Sequence, residues 1–132
     1  MSGVRFSAEV EARAGRRCEY CRMHQSLQGA TFHVEHIVPE SRGGLTELAN
    51  LAWACPGCNL NKSDRIEIVD PITQEVVRLL DPRQDVWSEH FIWDGVCVVA
   101  LTPIGCAMVT AFDLNHSRRQ LIRQAEQLFG LF

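Results

Sequence analysis

Two C-x-x-C pairs, CEYC at Cys18/Cys21 and CPGC at Cys55/Cys58, constrain this 132-residue chain more than any other feature it has. In a reducing compartment such pairs hold a metal more readily than a disulfide. Zinc binds tetrahedrally and favours thiolates, so the two turns together supply all four ligands of one ion. A closed four-sulfur site leaves no position for water or substrate, and its role is therefore structural. Thirty-three residues lie between Cys21 and Cys55. The ion would staple the ends of a segment that has structure of its own, stabilising a small domain by about 10 kcal/mol. Two other readings fit less well. A redox C-x-x-C needs a βαβ context that is missing here. A two-Cys, two-His finger built on Cys18, Cys21, His33 and His36 sets its histidines too close together and strands Cys55 and Cys58. The remaining cysteines, Cys97 and Cys106, stand alone among apolar neighbours and read as small buried hydrophobes.

Inside the stapled segment, residues 33–39 read HVEHIVP. A simple core strand does not crowd His33, Glu35 and His36 into four positions, because each needs its own partner once buried. The loose alternation of TFHVEHIV, bounded by Pro39 and by Gly43-Gly44, predicts a strand followed by a loop. NLAWAC predicts a second short strand returning toward it, and NLNKSDRI after CPGC opens a helix. With the loop closed by zinc, the end of the first strand and the start of that helix are held together. Glu35 and Asn59 then become hard oxygen ligands for a hydrated Mg²⁺, which takes few protein oxygens and completes its shell with water and phosphate. A neutral His36 beside them can accept a proton from an attacking water. This is equipment for metal-assisted phosphodiester hydrolysis. Neighbours on a regular strand point to opposite faces, so Glu35 and His36 can serve one phosphate only where the strand ends or bulges. His33 shares the Glu35 face by the same alternation. The bland alternative is a solvated strand end without chemistry.

The rest of the chain fills in the fold. Its length and 46% hydrophobic content suit one folded domain over residues 1–132. Residues 7–14 favour a short helix with Ser7 as cap and Gly15 just past its end. IEIV, EVVRLL, HFIW and VCVVAL, separated by turn residues including Asp94-Gly95, predict a small β-meander over 66–101. Thr102-Pro103 starts a helix. A last helix over roughly 114–129 sets Leu121, Ile122, Ala125, Leu128 and Phe129 on one face as core, with Arg118, Arg119 and Arg123 on the wet side. Trp53, Trp87 and Trp93 read as packing residues and His90 as structural. No apolar run is long enough to span a membrane and the N-terminus lacks a secretion signal, so a cytoplasmic location is the default and no membrane partner is expected. Net charge is −3, but it is unevenly spread. Residues 1–65 carry eight Lys/Arg against seven Asp/Glu, whereas 66–112 carry two against seven. Phosphate contact falls to the N-terminal half, with Arg16, Arg17, Arg22 and Arg42 as candidates, or to the tail.

The run CEYC…HVEHIVPESRGG…NLAWACPGCNLNK resembles the HNH endonucleases, in particular the zinc-bearing branch with two C-x-x-C pairs. The resemblance covers roughly residues 16–65. It implies a ββα-metal core over 1–65 that cuts nucleic acid, followed by an extension over 66–132. By position it implies Glu35 as metal ligand, His36 as general base, Asn50 as the brace that orients His36, and Asn59 as second ligand. Lys62 and Arg65 would face phosphate. The expected protein is thus α+β: a zinc-stapled HNH core, a small β-meander and C-terminal helices. It would hydrolyse DNA with structural Zn²⁺ and catalytic Mg²⁺ or Mn²⁺. The alternative is a zinc-stapled nucleic-acid- or protein-binding module without catalysis. Oligomeric state is open.

Overall fold

A computed structural model describes residues 3–132. The chain divides into two compact units, the first ending at Ile66 and the second spanning Glu67–Phe132.

In the first unit a 3₁₀ turn, Gly3–Phe6, leads into helix α1, Ser7–Arg13. Ser7 is the first helical residue; the cap position falls to Phe6, which offers no side-chain bond. The helix is instead anchored at its far end, where Arg13 donates to the carbonyls of Leu48 and Leu51 at 2.9 and 2.6 Å. Gly15 follows in the left-handed region (φ 64°), where a residue without Cβ carries no penalty. A β-bridge between Arg17 and His24 then closes the first cysteine turn.

Strand β1, His33–His36, pairs antiparallel with β2, Leu51–Ala54. The register runs His33 opposite Ala54 to His36 opposite Leu51 with no residue inserted, so the pair Glu35-His36 sits at a strand end and not on a bulge. β2 is buried along its whole length, whereas β1 is buried only at Glu35. Helix α2, Pro56–Lys62, starts inside CPGC, three residues earlier than the sequence pattern suggests. Its N-cap is Cys55, whose Sγ accepts from the Cys58 amide at 3.3 Å, and Pro56 occupies the first position, where a missing N–H costs nothing. Hairpin and helix make a ββα unit around Val10, Tyr20, Met23, Phe32, Leu51 and Trp53.

The second unit has mixed helix and strand. Its strands form two separate hairpins where the sequence suggested one continuous meander: β3, Glu67–Val69, with β4, Val76–Arg78, and β5, Phe91–Asp94, with β6, Cys97–Ala100. The ladder stops after β4 because Asp85 accepts from the Arg78 guanidinium at 2.6 and 2.8 Å and from the Asp81 amide at 2.8 Å, closing residues 78–85 into a loop of its own. Helix α3, Pro103–Ala111, is capped by the Thr102 hydroxyl, as its Thr-Pro start predicts.

Helix α4, Ser117–Leu128, departs in part from the expected amphipathic arrangement. Ile122 and Ala125 are half-buried and Arg118 is exposed, as expected, but Leu121, Leu128 and Phe129 are 64%, 86% and 70% exposed, while Arg123 and Glu126 are buried. The departure follows from the reach of Arg123. Its two terminal nitrogens donate to the carbonyls of Val96 and Leu114 at 3.0 and 2.6 Å and the group lies 5.2 Å from the Trp93 ring, so its charged end meets partners inside. Among the described residues no helix is long and apolar enough to cross a membrane.

Candidate active site and metal centre

Both centres lie in the first unit. The four sulfurs of Cys18, Cys21, Cys55 and Cys58 lie within 4.8 Å of one another, all buried. Cys21 and Cys55 are 3.8 Å apart, about the edge of a tetrahedron with Zn–S bonds of about 2.3 Å. The donor set and spacing thus fit structural zinc. Burial pushes the Cys18 thiol well up, and hydrogen bonding within the sulfur cluster, led by Cys18, does the same at Cys58; a divalent cation reverses both by binding the thiolates. Among the described residues, no other group of three or more His, Cys, Asp or Glu has this geometry.

The strand end carries a second constellation. His36 is half-buried, and its Nε2 lies 2.9 Å from the Thr46 hydroxyl and 3.9 Å from Glu40 Oε1. Asn50 does not touch the imidazole. Its side chain continues the ladder beyond β1: Oδ1 accepts from the Val38 amide at 2.9 Å, and Nδ2 donates to the Val38 and Leu45 carbonyls at 3.0 and 2.9 Å. Gly44 is required here, because a Cβ at that position would lie 1.7 Å from the Val38 carbonyl oxygen. The hydrogen bonds of Asn50 thus run to the loop backbone and not to the ring.

Glu35 departs most from expectation. Its Oε1 lies 2.5 Å from Lys62 Nζ and its Oε2 accepts from the Tyr20 hydroxyl at 2.6 Å. The two charged side chains are only 5% and 1% exposed. Burial pushes the Glu35 carboxyl up, while Lys62 and Tyr20 pull it back. Lys62 also donates to the His36 carbonyl at 3.1 Å. Lys62, expected to face phosphate, is thus an internal strut between α2 and β1. Glu35, expected as an open cation ligand, has both oxygens engaged with an ammonium beside them. In this arrangement it does not fit a hydrated Mg²⁺ or Mn²⁺. Asn59 is half-buried on α2, and its amide oxygen fits a single ligand position. His33 is exposed and does not meet Glu35.

Arg42 and Arg65 gather at the C-terminal end of α2. Arg65 donates to the carbonyl of Asn61, one that the helix end leaves open, and Arg42 donates to the Asp64 carbonyl just past that end at 2.8 Å. Arg17 spends a guanidinium N–H on the Arg22 carbonyl at 3.1 Å. A cleft of about 420 Å³ opens toward the start of β1, past Arg16, His24, Phe32 and Trp53. It does not include His36 or Asn59, and its Gln25 is committed to Glu11 and to the Trp53 indole.

Sequence reasoning missed Tyr20, Thr46 and Glu19. Glu19 accepts from the Trp53 amide at 2.8 Å. None of the three carries a local signal, since each acts across 10 to 34 residues of chain.

The HNH endonuclease family model matches residues 18–65, the stretch that holds all four cysteines, the Glu35-His36 pair, Asn50 and Asn59. No curated protein and no solved structure matches the chain. The matched stretch is similar to the HNH endonucleases, a family of nuclease-type function, and its four clustered cysteines are consistent with the zinc-bearing kind.

Proposed function

We propose that this protein is a divalent-metal-dependent endonuclease that hydrolyses phosphodiester bonds in nucleic acid, with DNA as the first substrate to test. The observation that carries the reading is His36, held at the open end of β1 by Thr46, in a ββα unit that four clustered cysteines tie together. In this reading His36 takes a proton from the attacking water, Asn50 fixes the loop that holds the imidazole in place, and the sulfur cluster ties the 18–21 turn to the start of α2. The exposed Arg42 guanidinium and half-buried Arg65 lie where a phosphate backbone would approach α2. Glu35 and Lys62 serve the scaffold. Asn59 would be the one protein oxygen offered to a cation, whose other ligands would come from water and substrate phosphate.

Plasmid nicking with added Mg²⁺ or Mn²⁺, lost in chelator, tests the activity. The His36→Ala variant is expected to lose cleavage by at least 100-fold, the scale of a general base, and to keep its zinc and its fold. Loss of zinc and fold together with cleavage would make His36 structural. The engagement of Glu35 by Lys62 favours one second reading, a zinc-stapled nucleic-acid-binding module without chemistry. It predicts salt-sensitive DNA binding with no cleavage under any divalent metal.

A further inference from the structure

The imidazole of His36 has two nitrogens, and only one can receive the proton of an attacking water. Nε2 is already engaged: the Thr46 hydroxyl is 2.9 Å away and the Glu40 carboxylate 3.9 Å away on the same nitrogen. A hydroxyl can donate or accept, so Thr46 alone does not fix the tautomer. Glu40 decides it, because a carboxylate only accepts and its negative charge favours a proton at Nε2 over a lone pair. We propose that Thr46 is the positioning residue of His36: it accepts from Nε2–H and so leaves the lone pair on Nδ1 as the base.

This inference rests on the nuclease reading of His36, and it assigns to Thr46 the orienting role that the family resemblance implies for Asn50. The two residues form one chain of support. Asn50 Nδ2 clamps the carbonyl of Leu45, the residue before Thr46, and also that of Val38, so Asn50 reaches the imidazole through the backbone that carries Thr46. Gly44 lets that backbone pass against Val38. From the other side, Lys62 fixes the His36 carbonyl at 3.1 Å. The ring is thereby held at its backbone and at Nε2, and Nδ1 is left for chemistry. In the step itself, the proton of water moves to Nδ1, the water oxygen forms the new bond to phosphorus, and the bond from phosphorus to the leaving ester oxygen breaks with its electron pair on that oxygen. His36 ends as imidazolium, with Nε2–H still directed at Thr46 and Glu40.

The test is ¹⁵N-NMR of His36 in the zinc-loaded full-length protein, assigned by comparison with His36→Ala, run beside nicking kinetics of Thr46→Val and Thr46→Ser. The expected spectrum has Nε2 protonated and Nδ1 bare. Thr46→Val should lower kcat about tenfold with KM unchanged, the scale of one hydrogen bond of about 1.4 kcal/mol. Thr46→Ser, which restores the hydroxyl, should recover most of it. A proton on Nδ1 in the unaltered protein overturns the proposal, whether or not the protein cuts DNA, and needs no variant to fold. Equal activity of the Val and unaltered proteins also overturns it. The expected tautomer without any cleavage sinks the nuclease reading and leaves the role of Thr46 standing.

Discussion

Replacing Lys62 with Met removes the cation from a carboxylate that water cannot reach. The two side chains are 1% and 5% exposed, and the lost contacts are Nζ to Glu35 Oε1 at 2.5 Å and Nζ to the His36 carbonyl at 3.1 Å. Breaking a buried pair from one side costs about 3–5 kcal/mol, because the remaining charge stays desolvated. Removing both charges costs less. Glu35→Leu combined with Lys62→Met removes both charges together and leaves no desolvated carboxylate behind, so the double variant should be more stable than Lys62→Met alone by about 2 kcal/mol. The sign with pH follows from the same geometry. Burial raises the Glu35 carboxyl and Lys62 lowers it, so without Lys62 the folded-state value climbs further. The folded variant then binds a proton that the unfolded chain does not. That contribution is fully present below the unfolded value and is lost as pH rises through the folded one, so the deficit of Lys62→Met should shrink between pH 7 and pH 5. Hydrogen exchange at the β1 and β2 amides of the zinc-loaded full chain reads the first unit separately from the second. A deficit under about 1 kcal/mol at pH 7, or one that grows on acidification, would refute the picture of a desolvated pair.

Two further outcomes follow from the scaffold. Stripping the metal, or replacing Cys58 with Ser, should melt the first unit, since structural zinc contributes about 10 kcal/mol against the 5–15 kcal/mol that hold a typical domain. The check is one zinc per chain by elemental analysis, with circular dichroism before and after chelation. Gly44→Ala places a methyl 1.7 Å from the Val38 carbonyl oxygen and 2.9 Å from Asn50 Nδ2, so the loop must shift. A loss of about 1–3 kcal/mol is expected, with cleavage falling more steeply than stability because Thr46 lies in the displaced loop; melting and nicking assays run together measure both.

The family pattern was legible because its parts are local. C-x-x-C turns, a strand ending before a proline, and a proline-led helix after the second cysteine pair are all decided within a few residues, and the structure places them at β1, β2 and α2. The Thr102-Pro103 start of α3 is legible for the same reason. Pairings between distant residues were not. In sequence Glu35 reads as a cation ligand and Lys62 as a phosphate contact, and only the packing of α2 against β1 turns them toward each other. Helix α4 makes the same point: its spacing separates an apolar from a charged face, yet periodicity cannot say which face turns inward. Arg123 goes in because the carbonyls of Val96 and Leu114 and the Trp93 ring wait there, and leucines are left outside.

What the amino-acid order determined by itself is the pairing of the cysteines into one cluster, the ββα frame and the presence of a histidine at a strand end. What only the tertiary structure decided is the partner of each charge: which nitrogen of His36 is engaged, what neutralises Glu35, and where Lys62 points. The physical reason is that turn and cap chemistry is fixed by neighbours in the chain, whereas the energy of a buried charge depends on groups brought beside it from elsewhere once water has been excluded.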